Sequence, residues 1–311
     1  MKRVVSVSLG SAKRDKTTVV TILGEEFEVS RIGTNGDMKR FAELVAELDG
    51  KVDAIGLGGI DRYFWVDDRR YTVRDADRLA RIAKTTPVVD GSGVKNTLER
   101  RTIEYLQENK VFDFTDKNAL VVSAVDRFGM AQTIAGLTKN VVFGDMMFAL
   151  GVPIPMRSYA AVRIAATALL PIIVRLPFQW LYPTGAKQDK TEPKYEKYYK
   201  WADVIAGDYL IIKRTMPTVE SGLLAGKVII TNTVTAEDTQ MMIDRKVRML
   251  VTSTPCFDGR YIATNVFEGI LITLMGKRPE EVSAADYADL LQRLDWRPTI
   301  TDLTQLWSEN D

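Results

Sequence analysis

NALVVSAVDRFGMAQTIAGLTKNVVFGD, residues 118–145, is the stretch on which the fold turns. Asn118–Ala124 is a near-continuous apolar run, the pattern of a strand buried on both faces of a parallel sheet. Gly129–Leu137 predicts a helix and Asn140–Gly144 a second strand, which ends on Asp145. Strand, loop, helix and strand in this order open a Rossmann-like domain. An acid at the end of the second strand would hydrogen-bond an adenosine ribose and disfavour a 2′-phosphate. The expected cofactor is therefore NAD, with NADP disfavoured by Asp145.

Three later runs continue the plan: Ala202–Ala206, Lys227–Thr231 and Met249–Thr252, with the helix Thr235–Arg245 as a crossover. Their endings, Gly207-Asp208, Asn232-Thr233 and Ser253-Thr254-Pro255, can line a groove at the carboxyl edge of the sheet. Ser123, Arg127, Gly129, Asp145, Asn232 and Thr254 are the cofactor-binding candidates. The first loop departs from G-x-G-x-x-G: Ser123–Gly129 holds one glycine, and Asp126 repels a pyrophosphate unless Arg127 neutralises it. A Rossmann-shaped domain with another ligand, or none, is the competing reading.

Upstream, Val4–Leu9, Val19–Leu23 and Phe27–Ile32 predict short strands, the last two joined by a turn at Gly24. Asp37–Leu48 is amphipathic, Val52–Leu57 a buried strand, Arg74–Lys84 a helix, Pro87–Val89 a strand and Thr97–Asn109 a helix. Two glycine-rich loops follow strands, Gly56–Arg62 and Asp90–Thr97. The bland reading makes them tight turns with a helix cap. The functional one gives Lys95 and Asp90 the proton-transfer roles, and substrate contacts to Ser92, Asn96 and, further on, Arg260.

Composition narrows the chemistry. The chain has 311 residues, 42 basic and 41 acidic side chains and a formal charge of +1, without the basic excess of a nucleic-acid binder. One cysteine, Cys256, excludes an internal disulfide and points to a reducing, cytoplasmic setting. The absence of histidine excludes a Ser-His-Asp triad, a histidine base and histidine metal ligation. No metal is expected. The most apolar region, Tyr159–Tyr182, carries prolines at 171 and 177 and too short an uncharged run to span a bilayer.

The domains expected are 1–115, a small α/β substrate-type domain; 116–275, Rossmann-like with an insertion at 146–201; and 276–311, a helical tail. Within the insertion, aromatics from Phe178 to Trp201 interleave with lysines and suit a lid, an apolar ligand or a partner subunit. Asn265 and Glu268 have capping-box spacing.

This arrangement resembles the shikimate and quinate dehydrogenases, in particular a bacterial group labelled quinate 5-dehydrogenase. The words that carry the resemblance are Asp90–Thr97, Val142–Asp145 and Gly226–Thr233. It implies a two-domain α/β fold and an NAD(P)-dependent oxidoreductase acting on a small hydroxy or keto acid or polyol, with Lys95 and Asp90 shuttling the proton. The alternative is a non-catalytic ligand-binding or sensor protein with a degenerate Rossmann site and an aromatic-lined pocket. Either way the expected partner is a small molecule, with a homo-oligomer allowed.

Overall fold

The β-branched runs at the N-terminus pair into a sheet of order β2-β3-β1-β4-β7, built from β1 (Lys2–Ser8), β2 (Lys16–Ile22), β3 (Glu25–Gly33), β4 (Ala54–Gly58) and β7 (Val88–Val89). The computed structural model describes residues 1–67, 69–177, 191–254, 256–257 and 260–309. The chain divides into two discontinuous units. The first comprises 1–97, 168–188 and 257–296, and the second 98–167, 189–256 and 297–311. Neither coincides with a cut at 115/116, and the residues after 276 fall in both.

In the first unit β1 runs parallel to β3 and β4, with Val4 opposite Val29 and Ala54, while β2 is the antiparallel edge. Asp37 starts α1 (Met38–Leu48) by accepting the Lys39 and Arg40 amides, and Phe41, Leu44 and Val45 form its buried face. A hairpin of β5 (Tyr63–Val66) and β6 (Arg69–Thr72) follows β4 and the loop Gly56–Arg62, in a stretch for which the sequence reading assigns no element. Then come α2 (Arg74–Ala80), β7 and α3 (Ser92–Glu108). Residues 92–97 are thus the first turns of a helix and not a loop. The helix α9 (Thr264–Met275) packs on β1, β4 and β7. Its close seat depends on Gly269, where a Cβ would come 2.8 Å from Val4 Cγ1.

The second unit holds β8 (Ala119–Val121), α4 (Phe128–Leu137), β9 (Val141–Phe143) and a π-helical turn at Asp145–Ala149. After α5 (Tyr159–Ile173) come α6 (Glu196–Trp201), β10 (Val204–Ala206), α7 (Tyr209–Thr215), β11 (Val228–Thr231), α8 (Ala236–Asp244) and β12 (Met249–Thr252). The two-residue strands β13 (Cys256–Phe257) and β14 (Arg260–Tyr261) precede α9, and α10 (Ala284–Arg293) leads to β15 (Thr299–Asp302). The sheet order is β15-β12-β11-β10-β8-β9; only β15 is antiparallel. The residues after 276 are therefore not only helical, because β15 returns to close the β12 edge. Leu120, Ile205, Ile229 and Leu250 of adjacent strands meet in the core with Tyr199 and Tyr209. The fold is mixed α/β, with a mainly parallel sheet in each unit. Among the described residues no helix is long and apolar enough to cross a membrane.

Candidate functional site

Each parallel strand of the second sheet gives way to polar residues at its carboxyl end, where backbone groups no longer find a neighbouring strand. Ser123 follows β8, Asp208 follows β10, Asn232 and Thr233 follow β11, and Ser253 and Thr254 follow β12. Hydrogen bonds knit them into one rim. The Asp208 amide donates to Ser123 Oγ at 3.2 Å, Asn232 Nδ2 donates to Asp208 Oδ2 at 3.4 Å, and the Thr233 and Thr254 hydroxyls lie 2.7 Å apart. Gly207 makes the close passage possible: at φ +139° its Cβ would come 2.5 Å from Val122 Cγ2.

Arg127 lies buried and joins this rim through Asp208. One terminal nitrogen donates to Glu99, the other to Asp208 Oδ2 at 2.6 Å, and Nε stands 3.5 Å from Asp126. Burial alone would lower the guanidinium pKa, but Glu99, Asp126 and Asp208 outweigh it and hold the group above its ordinary value. Asp208 is doubly used, since its Oδ1 also caps α7 through the Leu210 amide at 2.8 Å. Sequence reading singled out Ser123, Arg127, Asn232 and Thr254, which this rim brings together. It missed Glu99, which sits on α3 and is 28 positions from its partner. Asp208 was visible only as a strand ending.

Asp145 has a role different from the expected one. Its Oδ1 accepts the amides of Ala124 at 2.9 Å and Val125 at 2.8 Å, in the loop that a glycine-rich motif would offer to a phosphate. A carboxylate of the chain itself thus takes those donors. Burial raises its pKa to about 6, the two amides pull it back, and Asp126 pushes it up. Gly129 lies buried inside α4, where its carbonyl accepts from the Thr133 hydroxyl.

In the first unit, Asp90 is spent on structure. Its Oδ2 accepts the Arg62 and Tyr63 amides, and its Oδ1 accepts both the amide and the hydroxyl of Ser92. Lys95 is turned to Asp61 at 3.2 Å, and Asn96 lies partly exposed in the first turns of α3. Glu268 is buried: Oε2 accepts the Gly91 amide at 2.6 Å and Oε1 the Tyr287 hydroxyl at 2.7 Å. The capping box does not form, for α9 starts after Ala263 and Asn265 donates instead to Ser6 Oγ at 2.8 Å. The side chains of Arg260 and Cys256, and residues 178–182, lie outside the described residues. Among the described residues no acidic cluster is placed to hold a metal ion.

Residues 93–303 match the family described as Domain of unknown function (DUF8754), and residues 3–90 match Domain of unknown function (DUF8753). No curated protein matches the chain. Solved structures similar along its length include a glucose-galactose binding protein from Geobacillus stearothermophilus, 12% identical, TM-score 0.41, covering 98% of each chain. Another is a periplasmic solute binding protein from Actinobacillus succinogenes with bound D-allose, 12% identical, TM-score 0.37, covering 100% of each. A third is a solute binding protein from Burkholderia graminis in complex with D-arabinose, 9% identical, TM-score 0.40, covering 99% of this chain and 97% of that one.

The expectation of a quinate or shikimate dehydrogenase is corrected here: the family models that match describe domains of unknown function, and the solved structures named above are described as sugar- or solute-binding proteins. The NAD reading falls with it, for physical reasons visible in the site. Asp145 is buried against the loop amides instead of presenting its carboxylate to a ribose, and Arg127 is already shared among carboxylates. A pyrophosphate would meet Asp126 and find both partners taken. The proton-shuttle roles given to Lys95 and Asp90 lose their basis along with the hydride chemistry.

Proposed function

The chain belongs to the DUF8754 family, and we propose that it is a binding protein whose second unit takes a small, uncharged, hydroxyl-rich molecule at the carboxyl edge of its sheet. The observation that carries this reading is the state of Arg127, a buried guanidinium held by Glu99 and Asp208. A free arginine would recruit a carboxylate or a phosphate. A neutralised one fixes the geometry of its partners and leaves acceptors and hydroxyls to face the ligand. Asp208, Asn232, Thr233 and Thr254 supply those groups within one rim, and all but Thr254 are partly exposed. Ligand hydroxyls both donate and accept, which suits a rim of carboxylate, amide and hydroxyl groups.

Calorimetric titration with aldopentoses, aldohexoses and inositols tests it, with NADH as the comparison compound. At least one of the polyols should bind, and Asn232→Ala should weaken that binding by roughly tenfold through the lost hydrogen bonds. Binding of NADH with no response to any polyol would defeat the reading.

A further inference from the structure

The loop that presents Arg127 has no glycine-rich wrap, Gly129 being the one glycine in Ser123–Gly129. What shapes it is Asp145, from the π-helical turn that follows β9. The two amides go to one oxygen: Oδ1 takes the Ala124 and Val125 N–H groups, whereas Oδ2 is buried and makes no hydrogen bond among the described residues. The loop then closes on itself, with the Arg127 amide donating to the Ala124 carbonyl at 3.0 Å, and Arg127 becomes the residue preceding α4. The backbone that carries Arg127 to Glu99 and Asp208 is thus held by two amides on a single carboxylate.

We propose that Asp145 is the positioning residue of the Arg127 loop, and that its protonation slackens the loop and weakens ligand binding at the rim. The proposal rests on the binding reading above for its consequence, and on geometry alone for its cause. An ionised acceptor makes stronger hydrogen bonds than a neutral one. A proton on Oδ2 would also create a donor for which no acceptor stands among the described residues. Asp126, on the clamped loop, makes the ionised form of Asp145 costlier, and the rest of the Asp145 turn, Met146, Met147, Phe148 and Ala149, carries no charge. With burial, this places the titration at about pH 6, where modest acidification has an effect.

Carbon-13 titration of the Asp145 carboxyl, with amide hydrogen exchange across 124–127 at a series of pH values, tests the cause on the unmodified protein. The Asp145 resonance should titrate near pH 6. Exchange at Ala124 and Val125, corrected for the intrinsic rate, should rise about tenfold once the group is protonated, as the charge assistance to the two amides is lost. In Asp145→Asn this pH dependence should vanish. Unchanged protection through pH 5, or a carboxyl that titrates like an exposed aspartate, overturns the proposal whatever the polyols do. If the loop responds and a polyol that binds at pH 7.5 holds equally well at pH 5, the link from loop to rim is overturned. If no polyol binds at either pH, the functional reading falls, and the loop measurement by itself decides whether Asp145 positions Arg127.

Discussion

The Tyr287 hydroxyl donates to the Glu268 carboxyl oxygen Oε1 at 2.7 Å, and both groups are buried between α9, α10 and the turn that opens α3. Burial, together with nearby Asp90, pushes the Glu268 pKa from 4.5 to about 8. Between those values the folded state carries a proton that the unfolded chain has lost. The stability that Glu268 contributes is complete below pH 4.5 and disappears as the pH rises through 8. Urea unfolding at pH 5, 7 and 9 should therefore show a loss on the order of a few kcal/mol in the wild type. Glu268→Gln should flatten the curve; an equally steep curve in that variant would assign the slope elsewhere.

Gly93 faces the same carboxyl. An added Cβ would overlap Glu268 Oε1 and lie 2.7 Å from the Tyr287 hydroxyl. In a helix, glycine to alanine ordinarily stabilises by up to about 1 kcal/mol. Here the sign should reverse, with Gly93→Ala costing about 1–3 kcal/mol from overpacking. Chemical denaturation measures the sign directly.

Arg127 and Glu99 form a buried ion pair, joined by Asp208. Removing the cation leaves carboxylates facing one another in a dry site. Arg127→Ala should cost roughly 3–5 kcal/mol, far more than an exposed pair would. Arg127→Lys, a point charge lacking the planar fork, should recover only part of that loss in the same unfolding experiment.

Deleting the carboxylate that fills the amide loop should expose an anion site. Asp145→Ala leaves the Ala124 and Val125 amides without their acceptor, a loss of about 1–3 kcal/mol for each group left unsatisfied. Inorganic phosphate at millimolar concentration should raise the thermal midpoint of this variant and leave the wild type unmoved. A phosphate response of equal size in both proteins would refute the view that Asp145 occupies the anion position.

The parallel strands were legible because burial on both faces writes them as short continuous apolar runs, as in Ala119–Val122 and Val228–Ile230. β15 was not, since Thr299–Asp302 is an edge strand in which Ile300 is the lone large apolar residue. The β5–β6 hairpin escaped notice because the two residues joining its strands, Asp67 and Asp68, include neither the glycine nor the proline that marks most hairpins. At the site, residue type could nominate Ser123, Arg127, Asn232 and Asp145, but it could not say what each would face. Asp145 fits a ribose and a pair of amides equally well as a letter; only the path of the chain after β8 decides between them. Glu99 was hidden for a related reason, since a helix register shows which residues share a face and nothing of what lies opposite.

The return of β15 to β12 also sets an order of events during synthesis. When Thr252 leaves the ribosome, β12 has one partner, β11, and an open flank of unpaired amides and carbonyls. Its second partner, Thr299–Asp302, is made only after the segment 257–296, which the first unit needs for its own completion. At about 5–20 residues per second the nascent flank waits several seconds for its cover. Open strand edges invite pairing with other chains. Thr299–Asp302 thus acts as a late-arriving guard, and a chain released before it would carry that sticky flank into the crowded cell.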